Sequence, residues 1–196
     1  QILDLHIRVL EKIFLQVPFD QIRKSFRTDM EALNYLEIIQ LSGHLSFDDN
    51  NNLIGAYPVS PLSTDYIISL EGVGTGYSMC AVDALGLPFT FMKKVTITTS
   101  DKSTGNKIRI EVDPNSDQRE SHNIFVAYQE SPDELQGTKS AAIVQCPNIH
   151  FYSNKNDIPA KLQIWDYINA FEYSQKRFGR TEMLKRIQEA INFLAA

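Results

Sequence analysis

Cys80 and Asp83 stand three positions apart in the run Gly74-Thr75-Gly76-Tyr77-Ser78-Met79-Cys80-Ala81-Val82-Asp83-Ala84-Leu85-Gly86. The glycines suit a loosened loop, and the residues after them suit a short helix. On a helix, positions i and i+3 share one face, with Cβ atoms about 5–6 Å apart. A thiol near a helix start has its thiolate favoured by the helix N-terminus. A carboxylate one turn away can take a proton from a thiol or a water and return it. The same spacing is also met by a cysteine that packs as a small hydrophobe among Met79, Ala81, Val82 and Leu85.

The second thiol, Cys146, closes the apolar run Ala141–Cys146, which reads as a strand; Pro147 after it cannot donate to a ladder. Strand ends that face loops often carry reactive groups. His150 reads as a packed or supporting histidine rather than a metal ligand. Two cysteines in 196 residues make no disulfide framework, and free thiols point to a reducing compartment, the cytoplasm. A thiol redox protein would show Cys-x-x-Cys on a βαβ unit, and neither feature is present. A zinc site is poorer still, because His6, His44, His122 and His150 lack ligand spacing.

The elements that must hold these groups follow from apolar periodicity and its breakers. Ile2, Leu5, Val9, Ile13 and Val17 predict a helix over residues 2–17, stopped by Pro18. A short helix is expected over Phe19–Phe26. Thr28 with Glu31 forms a capping box that opens a third helix, which turns Met30, Leu33, Leu36, Ile38 and Ile39 inward and ends near Gly43. Leu45–Phe47 and Leu53–Tyr57 flank the Asp/Asn cluster at residues 48–52 as a hairpin would. Pro58 and Pro61 mark a boundary. Beyond it, Asp65–Glu71, Val95–Thr99, Lys107–Val112, Ile124–Tyr128 and Ala141–Cys146 are predicted strands. Helices are expected over Ile158–Phe178, with Gly179 as C-cap, and over Arg180–Ala196. The fold class expected is therefore α+β: a winged-helix-like three-helix region over residues 1–60, then a mixed or antiparallel sheet domain flanked by helices over residues 61–196.

Three helices and a hairpin invite a DNA-binding reading, and charge argues against it. Residues 1–60 hold five basic side chains (Arg8, Lys12, Arg23, Lys24, Arg27) against eight acids, a net of −3. The would-be recognition helix, residues 29–41, carries three acids and no Lys or Arg. Such a surface repels phosphate, so the region is expected to be structural. The whole chain carries −5, which also disfavours a nucleic-acid partner. No apolar run approaches the roughly 20 residues of a membrane span. The sequence starts at Gln1 rather than methionine, so a few native residues are expected to precede it.

The block Gly74–Pro88, with cysteine three positions before aspartate, resembles the alkylmercury lyase family in its catalytic segment. Cys146 followed by Asn148-Ile149-His150-Phe151-Tyr152 is similar to the family's second catalytic cysteine and its His-aromatic-aromatic run. Order along the chain agrees too, so the resemblance covers nearly all of it. Family members often carry another cysteine directly after the second one; here that position is Pro147, which bears on substrate range and product release. The resemblance implies protonolysis of a carbon–mercury bond. One thiolate of Cys80 or Cys146 would capture the organomercurial, and Asp83 would move the second thiol's proton to the departing carbon. Hg(II) would stay on Cys80, Cys146 and an Asp83 oxygen until cytosolic thiols or a mercuric reductase remove it. No organic cofactor is implied. Soft thiolates suit the soft ion, and Tyr77, Met79 and Phe89 are the expected pocket walls, with Phe151 and Tyr152 able to serve as core instead. The rival reading is a mercury carrier or sensor that uses the same two thiols without turnover.

Overall fold

The computed structural model describes residues 2–116, 123–129 and 141–196. Three helices open the chain: α1 (Ile2–Phe14), α2 (Phe19–Arg23) and α3 (Asp29–Leu41). Helix α1 ends before Pro18 comes into play, because Gln16 takes a left-handed φ of 61°. Thr28 caps α3 as the capping box predicts, accepting from the Glu31 amide at 3.0 Å, while Glu31 reaches back to the Arg27 amide. The inward face of α3 is Ala32, Tyr35 and Ile39; Met30 and Leu33 lie exposed, contrary to expectation. The apolar positions around this helix spread over more than one face, so periodicity alone could not choose among them.

Strands β1 (Leu45–Phe47) and β2 (Leu53–Ala56) form the expected antiparallel ribbon. A four-stranded antiparallel sheet follows in the order β4-β3-β5-β6, from Ile67–Leu70 (β3), Gly74–Tyr77 (β4), Val95–Ser100 (β5) and Lys107–Val112 (β6). The glycine-rich segment expected as loop is thus strand β4. Gly76 is required there: a Cβ would run into the Phe14 carbonyl where the strand crosses α1. Between β4 and β5 lies α4 (Ala81–Phe91), whose residues are all buried. Met92 ends it in the left-handed region, φ 54°.

A second antiparallel sheet has the order β8-β7-β9: Phe125–Tyr128 (β7), Ile149–Tyr152 (β8) and Gln163–Asp166 (β9). Here two expectations fail. Ala141–Cys146 is not a strand. Ala141–Val144 is one turn of helix (α5) and Cys146–Asn148 is a 3₁₀ turn. Pro147 fits the first residues of such a turn, where its missing N–H costs nothing. The helix expected over Ile158–Phe178 starts only at Tyr167 (α6, Tyr167–Phe178), capped by Asp166, whose side chain accepts from the Asn169 amide at 2.8 Å. Gly179 is the C-cap of α6, as expected, in an extended conformation at φ −65°, and it leads directly into α7 (Arg180–Leu194).

One large core dominates, with a small second cluster of Ala127, Tyr152 and Ile158. Val9, Phe14, Tyr35, Ile68, Leu85, Phe151, Phe178 and Ile187 belong to one buried cluster drawn from both halves of the sequence. Burial of this apolar surface, at roughly 25 cal/mol per Å², is the main favourable term. No helix among the described residues is long and apolar enough to cross a membrane.

Candidate active site

Cys80 is the N-cap of α4, held extended at φ −158° and ψ −177° by the preceding strand. Its carbonyl accepts the first helical bond, from the Ala84 amide at 2.9 Å. Asp83 sits in the first turn. The thiol of Cys80 donates to Asp83 Oδ2 at 2.9 Å, so the i, i+3 juxtaposition is formed as the spacing predicts. Cys146 arrives from the other sheet. Its 3₁₀ turn runs straight into β8, and β8 pairs with β7. The Tyr66 hydroxyl fixes the start of that strand, donating to the Ile149 carbonyl at 2.9 Å. That bond uses its only proton, so the 2.8 Å contact with His150 Nδ1 has the imidazole as donor. His150 thereby steadies the strand after Cys146.

The Cys146 thiol donates to the same Asp83 oxygen at 3.5 Å. Two sulfurs and one carboxylate oxygen lie within 4.8 Å of one another, the only such cluster of three or more His, Cys, Asp or Glu ligands among the described residues. His6 and His44 instead pair in the core, ring centroids 5.2 Å apart, and burial pushes their pKa values down to about 3 and about 2. They are neutral core histidines; His122 lies outside the described residues.

All three groups of the cluster are buried: Cys80 is 1% exposed, Asp83 3% and Cys146 5%. Burial disfavours their charged forms. It raises the Asp83 carboxyl to about 6, against the pull of both thiol hydrogen bonds and of the Arg177 charge. Burial also drives the Cys80 thiol well above its ordinary range, aided by Cys146 and the Asp83 charge. For Cys146, the hydrogen bond with Cys80 lowers the pKa, yet burial and Asp83 outweigh it and the net direction is up. The expected help from the helix N-terminus is therefore overruled. Both thiols rest protonated, and the carboxyl titrates close to neutrality.

These groups line a cavity of about 370 Å³. Its other walls include Tyr57, Tyr128, Trp165, Tyr173, Arg177 and Phe178. None of the expected walls is among them. Tyr77 does not line it, Phe89 packs on Phe171 with centroids 5.3 Å apart, and Met79 faces a separate cavity behind Cys146. Phe151 and Tyr152 are core. The actual walls come from separate segments without a local motif; an aromatic-rich stretch at Trp165–Tyr173 was the one hint available.

The family model for MerB, alkylmercury lyase, matches residues 59–170, more than half of the chain. An alkylmercury lyase of Staphylococcus epidermidis is 25% identical over 149 residues, 76% of this chain and 64% of that protein. One from Bacillus cereus is 24% identical over 120 residues, 61% of this chain and 53% of its own length. The chain thus spans less than two thirds of these relatives. A crystal structure of the mercury-bound form of MerB2 shares the fold, with a TM-score of 0.58 over 93% of this chain and 91% of the other, at 18% identity.

Proposed function

This chain belongs to the alkylmercury lyase family, and from that premise we propose that it cleaves carbon–mercury bonds with Cys80, Cys146 and Asp83. The observation that carries the reading is one buried carboxylate oxygen receiving both thiols at 2.9 and 3.5 Å. Two soft sulfurs suit a soft ion, and the ion here is substrate rather than resident cofactor.

The substrate enters as an organomercurial bound to a small thiol. Cys146, the less strongly raised of the two thiols, attacks first, and its proton leaves with the displaced thiol. Cys80 then gives its proton to Asp83 Oδ2 and binds as thiolate. Two sulfur donors push electron density toward carbon. Asp83 returns the proton to that carbon, the bond breaks, and a hydrocarbon departs. Hg(II) remains between the two sulfurs. One proton goes to the leaving thiol and one to carbon, so the scheme balances without any group from outside. A carboxyl with a pKa of about 6 suits the shuttle, since it can hold and release a proton near neutral pH. Small cytosolic thiols or a mercuric reductase would take the ion away. The segment over residues 1–60 acts as wall and scaffold, supplying Gly43 and Tyr57 to the cavity rather than reading nucleic acid.

The test is turnover. Reduced protein with phenylmercury and excess thiol should release benzene, and Cys80→Ser, Cys146→Ser and Asp83→Asn should not. Mercury bound tightly with no arene released would replace this reading with a carrier.

A further inference from the structure

The lyase reading accounts for the sulfurs and the carboxylate, but it assigns no substrate contact to Arg177. Among the described lining residues Arg177 alone is cationic. It lies half-buried on the last turn of α6, with Cζ 5.5 Å from the centre of the Phe178 ring. No carboxylate among the described residues lies within ion-pair distance of it. A cation on the last turn also complements the helix C-terminus. Lys176 already meets that need from an exposed position, outside the cavity lining. Beside Arg177, three aromatic rings form a continuous wall. Trp165 stands 4.6 Å from Tyr128 and 4.9 Å from Tyr173 between ring centroids.

We propose that Arg177 and the Tyr128–Trp165–Tyr173 wall form a carboxylate subsite next to the thiols. The planar guanidinium offers paired donors that match a carboxylate in two parallel bonds. The aromatic wall takes a flat or apolar spacer and excludes water, which strengthens the ion contact. The subsite thus favours organomercurials that bring a carboxylate, either on the organic group or on the thiol to which the mercury is bound on arrival. The substrate assignment rests on the lyase reading; the carboxylate preference itself does not.

Trp165 is the single tryptophan of the chain, so its fluorescence reports on this wall alone. Reduced, mercury-free protein is titrated with benzoate and with the neutral isostere benzamide. Benzoate should bind about tenfold more tightly, the size of one charge-assisted contact. Arg177→Met should erase the difference and Arg177→Lys should keep part of it, with thermal melts confirming that both variants fold. Equal affinities in the wild type, or a preference that survives in Arg177→Met, would overturn the subsite. Turnover then separates the two sources. One arm compares 4-carboxyphenylmercury with phenylmercury in a neutral thiol, and the other compares phenylmercury delivered with thioglycolate or with 2-mercaptoethanol. A kcat/KM preference in the first arm places the carboxylate on the organic group; one in the second places it on the thiol. No preference in either arm overturns the substrate assignment. Absence of hydrocarbon in every arm removes the lyase reading, while the fluorescence result still decides Arg177.

Discussion

Replacing Asp83 by asparagine should make the protein more stable while it destroys turnover. The carboxyl is 3% exposed, and its pKa is raised by burial from 3.8 to about 6. A folded-state pKa above the unfolded value means that the folded chain holds its proton more tightly. Stability is then highest below pH 4 and is lost as pH rises toward 6. A rise of about two units, at ~1.4 kcal/mol each, puts the cost of the ionised group near 3 kcal/mol at pH 7 to 8. Asparagine has the same shape and never ionises. It keeps one oxygen for the thiols, but the acceptor is weaker, which returns about 1 kcal/mol. The net gain expected at pH 8 is roughly 2 kcal/mol, or about 4–8 °C in Tm for a chain of this size. Urea melts of both proteins, metal-free and fully reduced, at pH values from 4 to 8 provide the assay. The gap between variant and wild type should open between pH 4 and 6 and stay level above. An asparagine variant that is less stable at pH 8, or a gap that ignores pH, would refute the reasoning.

The two thiols should differ in reactivity toward iodoacetamide, with Cys146 modified before Cys80 in peptide maps, because Cys146 is the less buried and the less strongly raised. Labelling of Cys80 first would reverse the proposed order of attack. Gly86→Ala should cost about 1–3 kcal/mol, since the added Cβ would meet the Phe178 ring where α4 packs on α6; calorimetry at pH 6 measures it, and activity should fall with it because Phe178 lines the cavity. Asp101→Ala should cost about 2–4 kcal/mol, because that carboxylate accepts from Ser103, Thr104 and Ser153 and ties the turn after β5 to the end of β8. An Asp101→Ala melt that matches the wild type would show that these bonds carry nothing.

Local rules reached as far as local geometry goes. The Thr28 cap, the β1–β2 ribbon and the strands β5 and β6 each depend on neighbours in sequence, and each stands as the pattern predicts. Cys80 beside Asp83 is of the same kind. Cys146 is different: its arrival depends on β8 pairing with β7 and on Tyr66 anchoring Ile149, contacts that no short-range pattern encodes. Only the family resemblance linked it to the other two. Strand β9 was hidden inside a helical-looking window, although Asp166 followed by Asn169 carried a cap signal that would have moved the helix start. The apolar run at Ala141 read as strand because short apolar runs do not distinguish the two periods. The cavity walls were the least legible, being assembled by tertiary packing from stretches far apart in the chain.

One sulfur rides on a fully packed helix and the other on a short turn, and the backbone between positions 80 and 146 forms a long excursion that neither end pins covalently. Anything that joins them, an ion in transit or an accidental S–S link, closes a ring in the chain. Loop-closure entropy for a ring of that length is worth roughly 4 kcal/mol. On the proposed mechanism the molecule therefore grows hardest to melt in the very condition in which it can do no further work, and a thermal shift would track its occupancy without any chemical assay.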